Sequence, residues 1–574
     1  MKRSRSGSSA HTLSFTLGLL VAVGACTNSS GTVSVGSGGK PSSGGQSMTG
    51  GANSTGGATS SGGQPGNGGA SGTGGASGTG GRSDSGGSSV ADAATSSGGQ
   101  PGNGGASGTG GRSGSGGSSA ADAATKSDGQ PGSGGVGGLG GRSGSGGSSA
   151  AGGAGPGAGG STGDAGVFVG TKAPGTAQTG DITINPATAY QTMDGFGIAD
   201  VWQAKSTSTA AQRTLFWDPV NGIGMTILRA GIDENGKIMG DAAFVEAPEV
   251  VKYGGRVWAA PWSPPASYKD NNDINNGGHL NASSYEAWAT TLAAFPAYFK
   301  QNAGVDLWGL SAQNEPDFVA SYRSCIFSAA QMNAFVKVLG PKLHALNPPV
   351  KVIAAEPDVW SHLWNNGDKY GVAIEGDATV SSLVDVHATH DYGSNVQSTT
   401  RPTPPAGVNK PIWQTEATYT AGAAIGPALD FARCIYAGVT TGGTSGWVYW
   451  WTTSFMDGGS TSSPPKRVYA MGNYSKFVRP GYVRVAVTGA PSSVQIVPFT
   501  NPSDGTFAIV ALNSGSSAVQ VSFFVSGAGW PSTVTPYVTS ASSNLVAGTA
   551  VTATAGRFSG SLEAQSVTTF VGKQ

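Results

Sequence analysis

The chain is short of charge, short of cysteine and, over residues 27–167, without aromatic residues. Charged residues are 11% of the 574 positions and the formal net charge is zero. That balance gives no support to a nucleic-acid partner or an acidic polymer as substrate. Three cysteines, Cys26, Cys325 and Cys434, are too few for a disulfide framework. The apolar run Leu13–Val23 is shorter than the roughly 20 residues that span a bilayer. Residues 27–167 hold no Phe, Tyr or Trp, yet more than half of the 97 glycines. Such a stretch cannot bury enough apolar surface to offset its ordering entropy.

What is there begins with an export signal, expected over residues 1–26. Lys2, Arg3 and Arg5 precede the apolar run, which ends in "VGAC" at Cys26. This resembles a bacterial lipobox, which implies cleavage before Cys26 and a lipid on its sulfur, anchoring the chain to the cell-envelope membrane or surface. The alternative is a plain secretory signal cut near Ala25, giving a secreted protein. Residues 27–166 then repeat themselves. "GGRS" recurs with Arg82, Arg112 and Arg142, and "GQPG" recurs at Gln64, Gln100 and Gln130. With almost no large apolar residue per repeat this is no solenoid. It is expected to be a disordered Gly/Ser tether of about 140 residues, spanning about 60–70 Å.

From Val167 onward Trp, Tyr, Ile and Leu return. Apolar runs of strand length occur at 194–198, 225–232, 256–262, 307–315, 350–357, 384–392, 411–416 and 446–451, with amphipathic segments between them. In "IGPALDFARCIYAG" the residues Ile425, Leu429, Ala432 and Tyr436 suit one helical face. The expected class is α/β, a (β/α)8 TIM barrel over 181–478. An open doubly wound sheet is the alternative; the count of eight and the lack of a Gly-rich phosphate fingerprint favour the barrel. Residues 479–574 alternate without helical period and predict an all-β side sandwich. "DITINP" (181–186) is expected to add an edge strand to it.

In such a barrel the chemistry sits where strands end. "LWGLSAQNEPDF" runs apolar and then stops in Asn314, Glu315 and Pro316, and "PIWQTE" ends in Glu416. The two glutamates are expected to end the fourth and seventh strands and face each other, as glycoside hydrolysis requires. Salt bridges at the barrel rim are the bland alternative. Asn314 is placed to hydrogen-bond a sugar hydroxyl. His390 and Tyr392 share a strand face and are expected at the mouth. His387 and His390, three apart, point to opposite faces and cannot chelate one ion together, so neither a metal nor another cofactor is expected. Trp262, Trp450 and Trp451 are candidate sugar platforms, with Trp450 and Trp451 split to opposite faces. Asp194 reads as a structural acid. Glu356, in "AAEPDVW", mimics "QNEPDF" but lacks the preceding asparagine.

Together these segments resemble glycoside hydrolase family 30, in its xylanase branch. "QTMDGFG", "APWSPPASYKDNND", "QNEPDF", "HDYG", "WQTEA" and "MGNYSKFVRPGYVRV" lie in the family's order over residues 181–574. The resemblance implies a retaining enzyme with Glu315 as acid/base, Glu416 as nucleophile and Arg229, at the end of the second strand, steadying the nucleophile. It implies a polysaccharide substrate, and a monomer is expected. Many xylanases of this family hold a glucuronic acid branch with an arginine on the loop after the eighth strand. Here that loop, Thr452–Pro465, has no Arg or Lys, and Asp457 would repel a uronate. An endo-β-1,4-xylanase without strict glucuronic acid dependence is therefore expected. The rival readings are a β-1,6-glycanase or glucosylceramidase-like hydrolase, and a non-catalytic carbohydrate-binding protein.

Overall fold

The structure is a computed structural model that describes residues 175–419, 422–526 and 533–572. The expected signal at 1–26 with Cys26, and the expected tether at 27–166, lie outside the described residues. Among those described, no helix is long and apolar enough to cross a membrane.

After β1 (Ile182–Thr192), eight strands close a parallel barrel: β2 (Gly195–Ala199), β3 (Ile227–Ile232), β4 (Arg256–Pro261), β5 (Gly309–Ser311), β6 (Lys351–Ala355), β7 (Val386–His390), β8 (Ile412–Glu416) and β9 (Gly446–Tyr449). Each coincides with an expected apolar run. These strands are buried on both faces and so read as continuous apolar stretches. Inside, Ile227, Trp258, Ile353, Val386, Ala388, Trp413 and Val448 form a packed plug. Trp308 and Trp413 stack with centroids 5.0 Å apart. Asp194 is the structural acid expected: its carboxylate accepts from Arg256 at 2.5 Å and from Trp413 Nε1 at 2.8 Å. Where β2 meets β3 the backbones crowd. A Cβ at Gly197 would lie 1.9 Å from the Ile227 carbonyl oxygen, so "DGFG" needs its second glycine there.

The helix Ile425–Thr440 buries Ile425, Leu429 and Ala432 of the face read from its period, while Tyr436 is half-buried. The two described cysteines, Cys325 and Cys434, are free and buried. Burial pushes both thiols up to about 12.

The side domain is built from β10 (Val483–Thr488), β11 (Val494–Thr500), β12 (Phe507–Asn513), β13 (Val519–Val525) and later strands that include Thr533–Thr539, Arg557–Leu562 and Ser566–Gly572. Its core holds Ile184, Val485, Ile496, Ile509, Phe523 and Phe570. One expectation needs correcting. β1 is no edge strand: it pairs antiparallel with β10 and parallel with β13, so both of its backbone edges are used. The helix Lys466–Ser475 links the two domains. Asn473 Nδ2 donates to Tyr537 O and Thr569 Oγ1, both at 3.0 Å.

Candidate active site

The strands deliver a compact ion cluster to one end of the barrel. Arg229 lies in the middle of β3 rather than at its end, on the same inward face as Ile227. Its buried guanidinium donates to Glu416 Oε2 at 2.5 Å, Asn314 Oδ1 at 2.5 Å and Glu356 Oε1 at 3.1 Å. The Trp258 and Trp262 rings lie 5.3 and 4.8 Å from it.

Glu416 is the last residue of β8, as expected. Strict alternation from the inward Trp413 would turn it outward. Between Thr389 and His390 the pairing of β7 with β8 slips by one, so that His390 faces Glu416. A bulge of this kind re-aims a side chain. Glu416 also accepts from the Tyr392 hydroxyl at 2.9 Å. Burial raises its carboxyl above the usual range, while His390 and Arg229 favour the anion.

Glu315 does not end a strand. β5 stops at Ser311, four residues earlier than the apolar run suggested. Glu315 instead sits in a turn at φ 44°, with its N–H on the Glu356 carbonyl at 3.1 Å. A left-handed glutamate before a proline is strained. Its Oε1 lies 3.1 Å from His390 Nδ1. Both glutamates are nearly enclosed, Glu315 6% and Glu416 5% exposed.

His390 ends β7 and points inward, whereas His387 points away and bonds Glu375 at 2.7 Å. Burial alone would lower the His390 imidazole; Glu416, Glu315 and Glu356 outweigh it and push it up to about 10. Ligand atoms of Glu315, His390 and Glu416 lie within 4.8 Å of one another, a spacing a metal could use. A protonated imidazole has no lone pair to give, and Arg229 already fills the cationic position on Glu416. The donor set is that of a salt cluster.

The aromatic residues differ from expectation. Trp262 is 2% exposed, its ring packed against Trp202 and Trp450 at 5.8 and 6.1 Å, so it supports the wall and offers little face to a sugar. Trp450 and Trp451 do not split. Both lie beyond β9, half-buried, with centroids 6.4 Å apart. Trp451 has φ 45°, which breaks the alternation that a strand would impose. Trp202 and Tyr322 complete the mouth and were not read from the sequence. Trp202, at φ 61°, touches Trp262, Trp450 and Tyr322. Its signal was an aromatic three residues beyond β2, in "GIADVW". Glu356, fully buried, is part of the cluster rather than a bystander.

Paired, enclosed glutamates at one end of an eight-stranded barrel, one closing β8 and one on the turn beyond β5, are the arrangement that glycoside hydrolysis uses. Comparison with known proteins agrees. Residues 245–418 match the glycosyl hydrolase family 30 TIM-barrel domain, and residues 481–570 match the glycosyl hydrolase family 30 beta sandwich domain. Glucuronoxylanase XynC of Bacillus subtilis is 32% identical over 416 residues, 71% of this chain and 94% of that protein. The family 30 subfamily 8 xylanase Xyn30A of Clostridium acetobutylicum superposes with a TM-score of 0.60 at 32% identity, covering 69% of this chain and 100% of that one. A family 30 endoxylanase of Clostridium papyrosolvens gives a TM-score of 0.58 at 30% identity, covering 69% and 100%. The chain belongs to glycoside hydrolase family 30.

Proposed function

We propose that this chain is a retaining endo-β-1,4-xylanase that does not depend strictly on glucuronic acid branches. Glu416 attacks the anomeric carbon while Glu315 protonates the departing oxygen; Glu315 then draws the proton from the water that releases the sugar. The observation that carries the reading is the facing pair, with a carboxylate oxygen of Glu315 and one of Glu416 no more than 4.8 Å apart. Inverting enzymes hold their carboxyls at roughly 6.5–9.5 Å to admit a water. Arg229 and Tyr392 hold Glu416 as an anion in line for attack, and the His390 imidazolium orients Glu315. The identity to family 30 xylanases over nearly their whole length supports xylan.

Three cations that could answer a uronate branch from other segments, Arg229, Lys269 and Arg467, are each engaged elsewhere. Arg229 serves the cluster. Lys269 donates to the Ser324 carbonyl at 2.6 Å. Arg467 donates to Asp457 at 2.8 Å and to the carbonyls of Ser454 and Gly422. That ion pair offsets the repulsion expected of Asp457, so the reading rests on the engaged cations alone. The lipid anchor at Cys26, the tether, the domain boundaries and a monomeric state belong to the same proposal: a tethered enzyme at the cell surface reaches a polymer too large to enter. Reducing-end release should be measured on glucuronoxylan, arabinoxylan, β-1,6-galactan, β-1,6-glucan and glucosylceramide. Rates on the two xylans within about tenfold of each other are expected. Cuts confined to branch points, or preference for a β-1,6 polymer, would overturn it; no release from any substrate would favour a binding protein.

A further inference from the structure

Glu356 is the carboxylate of the cluster that the reaction leaves idle. It is fully buried; Oε1 lies 3.1 Å from Arg229 Nη2 and 3.6 Å from His390 Nε2, and Oε2 has no hydrogen-bond partner among the described residues. Its backbone is held at φ 63°. A buried, half-satisfied carboxylate is costly, and apolar side chains in place of a whole buried ion pair often cost nothing. What the carboxylate adds is one fixed negative charge against both cations.

The groups around it come from four strands and two turns. Arg229 faces it from β3, the Ser311 hydroxyl from β5 and His390 from β7; Glu416 on β8 and Glu315 on the turn beyond β5 share those two cations with it, and Asp358 lies two residues on in its own turn. Burial would raise the Glu356 carboxyl, but Arg229 and then His390 hold it below the usual range. Burial and then Glu315 push Asp358 up to about 7. With Arg229 and His390 charged and three glutamates ionised, the innermost cluster carries one excess negative charge. A single bound proton neutralises it, and a low-dielectric interior favours the neutral state. Without the Glu356 charge the same proton would leave the cluster positive.

We propose that Glu356 is a positioning residue that sets the charge balance of the catalytic cluster. By occupying one cation's worth of charge, it keeps a proton on the facing carboxyl pair at the working pH. This rests on Glu315 as acid/base and Glu416 as nucleophile. The test is the pH dependence of kcat/KM on xylan and on an aryl xylobioside whose leaving group needs no proton. In Glu356→Gln both limbs on xylan should move to lower pH by about one unit or more. Glu356→Asp should return them to the wild-type position. His390→Gln, which removes a positive charge, should move them the other way, and carries the test if Glu356→Gln does not fold. Limbs that stay in place in these variants, with turnover uniformly lower on both substrates, would overturn the charge role and leave the catalytic assignment intact. Loss of xylan cleavage at every pH in Glu356→Gln, with aryl turnover retained, would make Glu356 the acid and overturn both.

Discussion

Two turns in this molecule share the tripeptide Glu-Pro-Asp and differ in what they do. One is Glu315–Pro316–Asp317 beyond β5, the other Glu356–Pro357–Asp358 beyond β6. In both the glutamate is left-handed, at φ 44° and 63°. They are laced together: the Glu315 N–H donates to the Glu356 carbonyl at 3.1 Å, and the Asp358 N–H donates to the Asp317 carboxylate at 2.9 Å. Their side chains diverge. Glu315 keeps an opening to the cleft and a hydrogen bond from His390, while Glu356 is sealed beneath Arg229. The aspartates reverse the order. Asp317 is bound to His362 at 2.6 Å, and Asp358, half-buried, is left to the cleft. Equal local sequence gives equal backbone; the neighbouring strands assign the chemistry.

The largest effect should come from outside both turns. Glu416→Ala should lower turnover by about 10⁴–10⁶-fold, and azide should restore some cleavage with inverted product. Next comes Glu315→Gln, losing about 10²–10⁴-fold on xylan while still forming the glycosyl-enzyme from activated aryl glycosides. If Glu356→Gln shows that selectivity instead, the roles of the turns are exchanged. Glu356→Ala should act on stability as well, since it strips a buried partner from Arg229. A loss of about 3–5 kcal/mol is expected in urea unfolding, and a change below about 1 kcal/mol would mean the pair is structurally idle.

The smallest effects separate the aspartates. Asp317→Asn should cost about 1–3 kcal/mol through its charged hydrogen bonds; Asp358→Asn should cost little near pH 5. Asp358 has its carboxyl raised in the folded state, to about 7. Its contribution is therefore present below the unfolded carboxyl range and lost as pH rises through about 7. Asp358→Asn should accordingly lose less stability between pH 5 and 8 than the parent. His390 follows the rule for a raised histidine. Its contribution is complete below the ordinary imidazole range and lost only as pH rises through about 10.

Much of this was legible in the sequence. Strand count and the inward face of β7 followed from apolar runs and strand alternation, and the two glutamates from the points where those runs stop in the sequence. What stayed hidden depends on contacts between distant segments. The bulge that aims Glu416 is a property of the pairing of β7 with β8. The early end of β5 follows from a turn that leans on Glu356, forty-one positions away. The interior place of β1 needed two partners from the far end of the chain. Trp202 and Tyr322 carry no periodic signal because both lie in loops, and in sequence Glu356 resembles a copy of Glu315; the Arg229 guanidinium against it is what tells the two apart.

The central claim is that Glu416 bonds to the sugar while Glu315 handles the proton. A 2-deoxy-2-fluoro xylobioside with a good leaving group traps such an intermediate, and peptide mapping by mass spectrometry locates it. The account predicts one sugar per chain, on Glu416, released by added xylobiose. A label on Glu315 or Glu356, or no covalent species during inactivation, would contradict it.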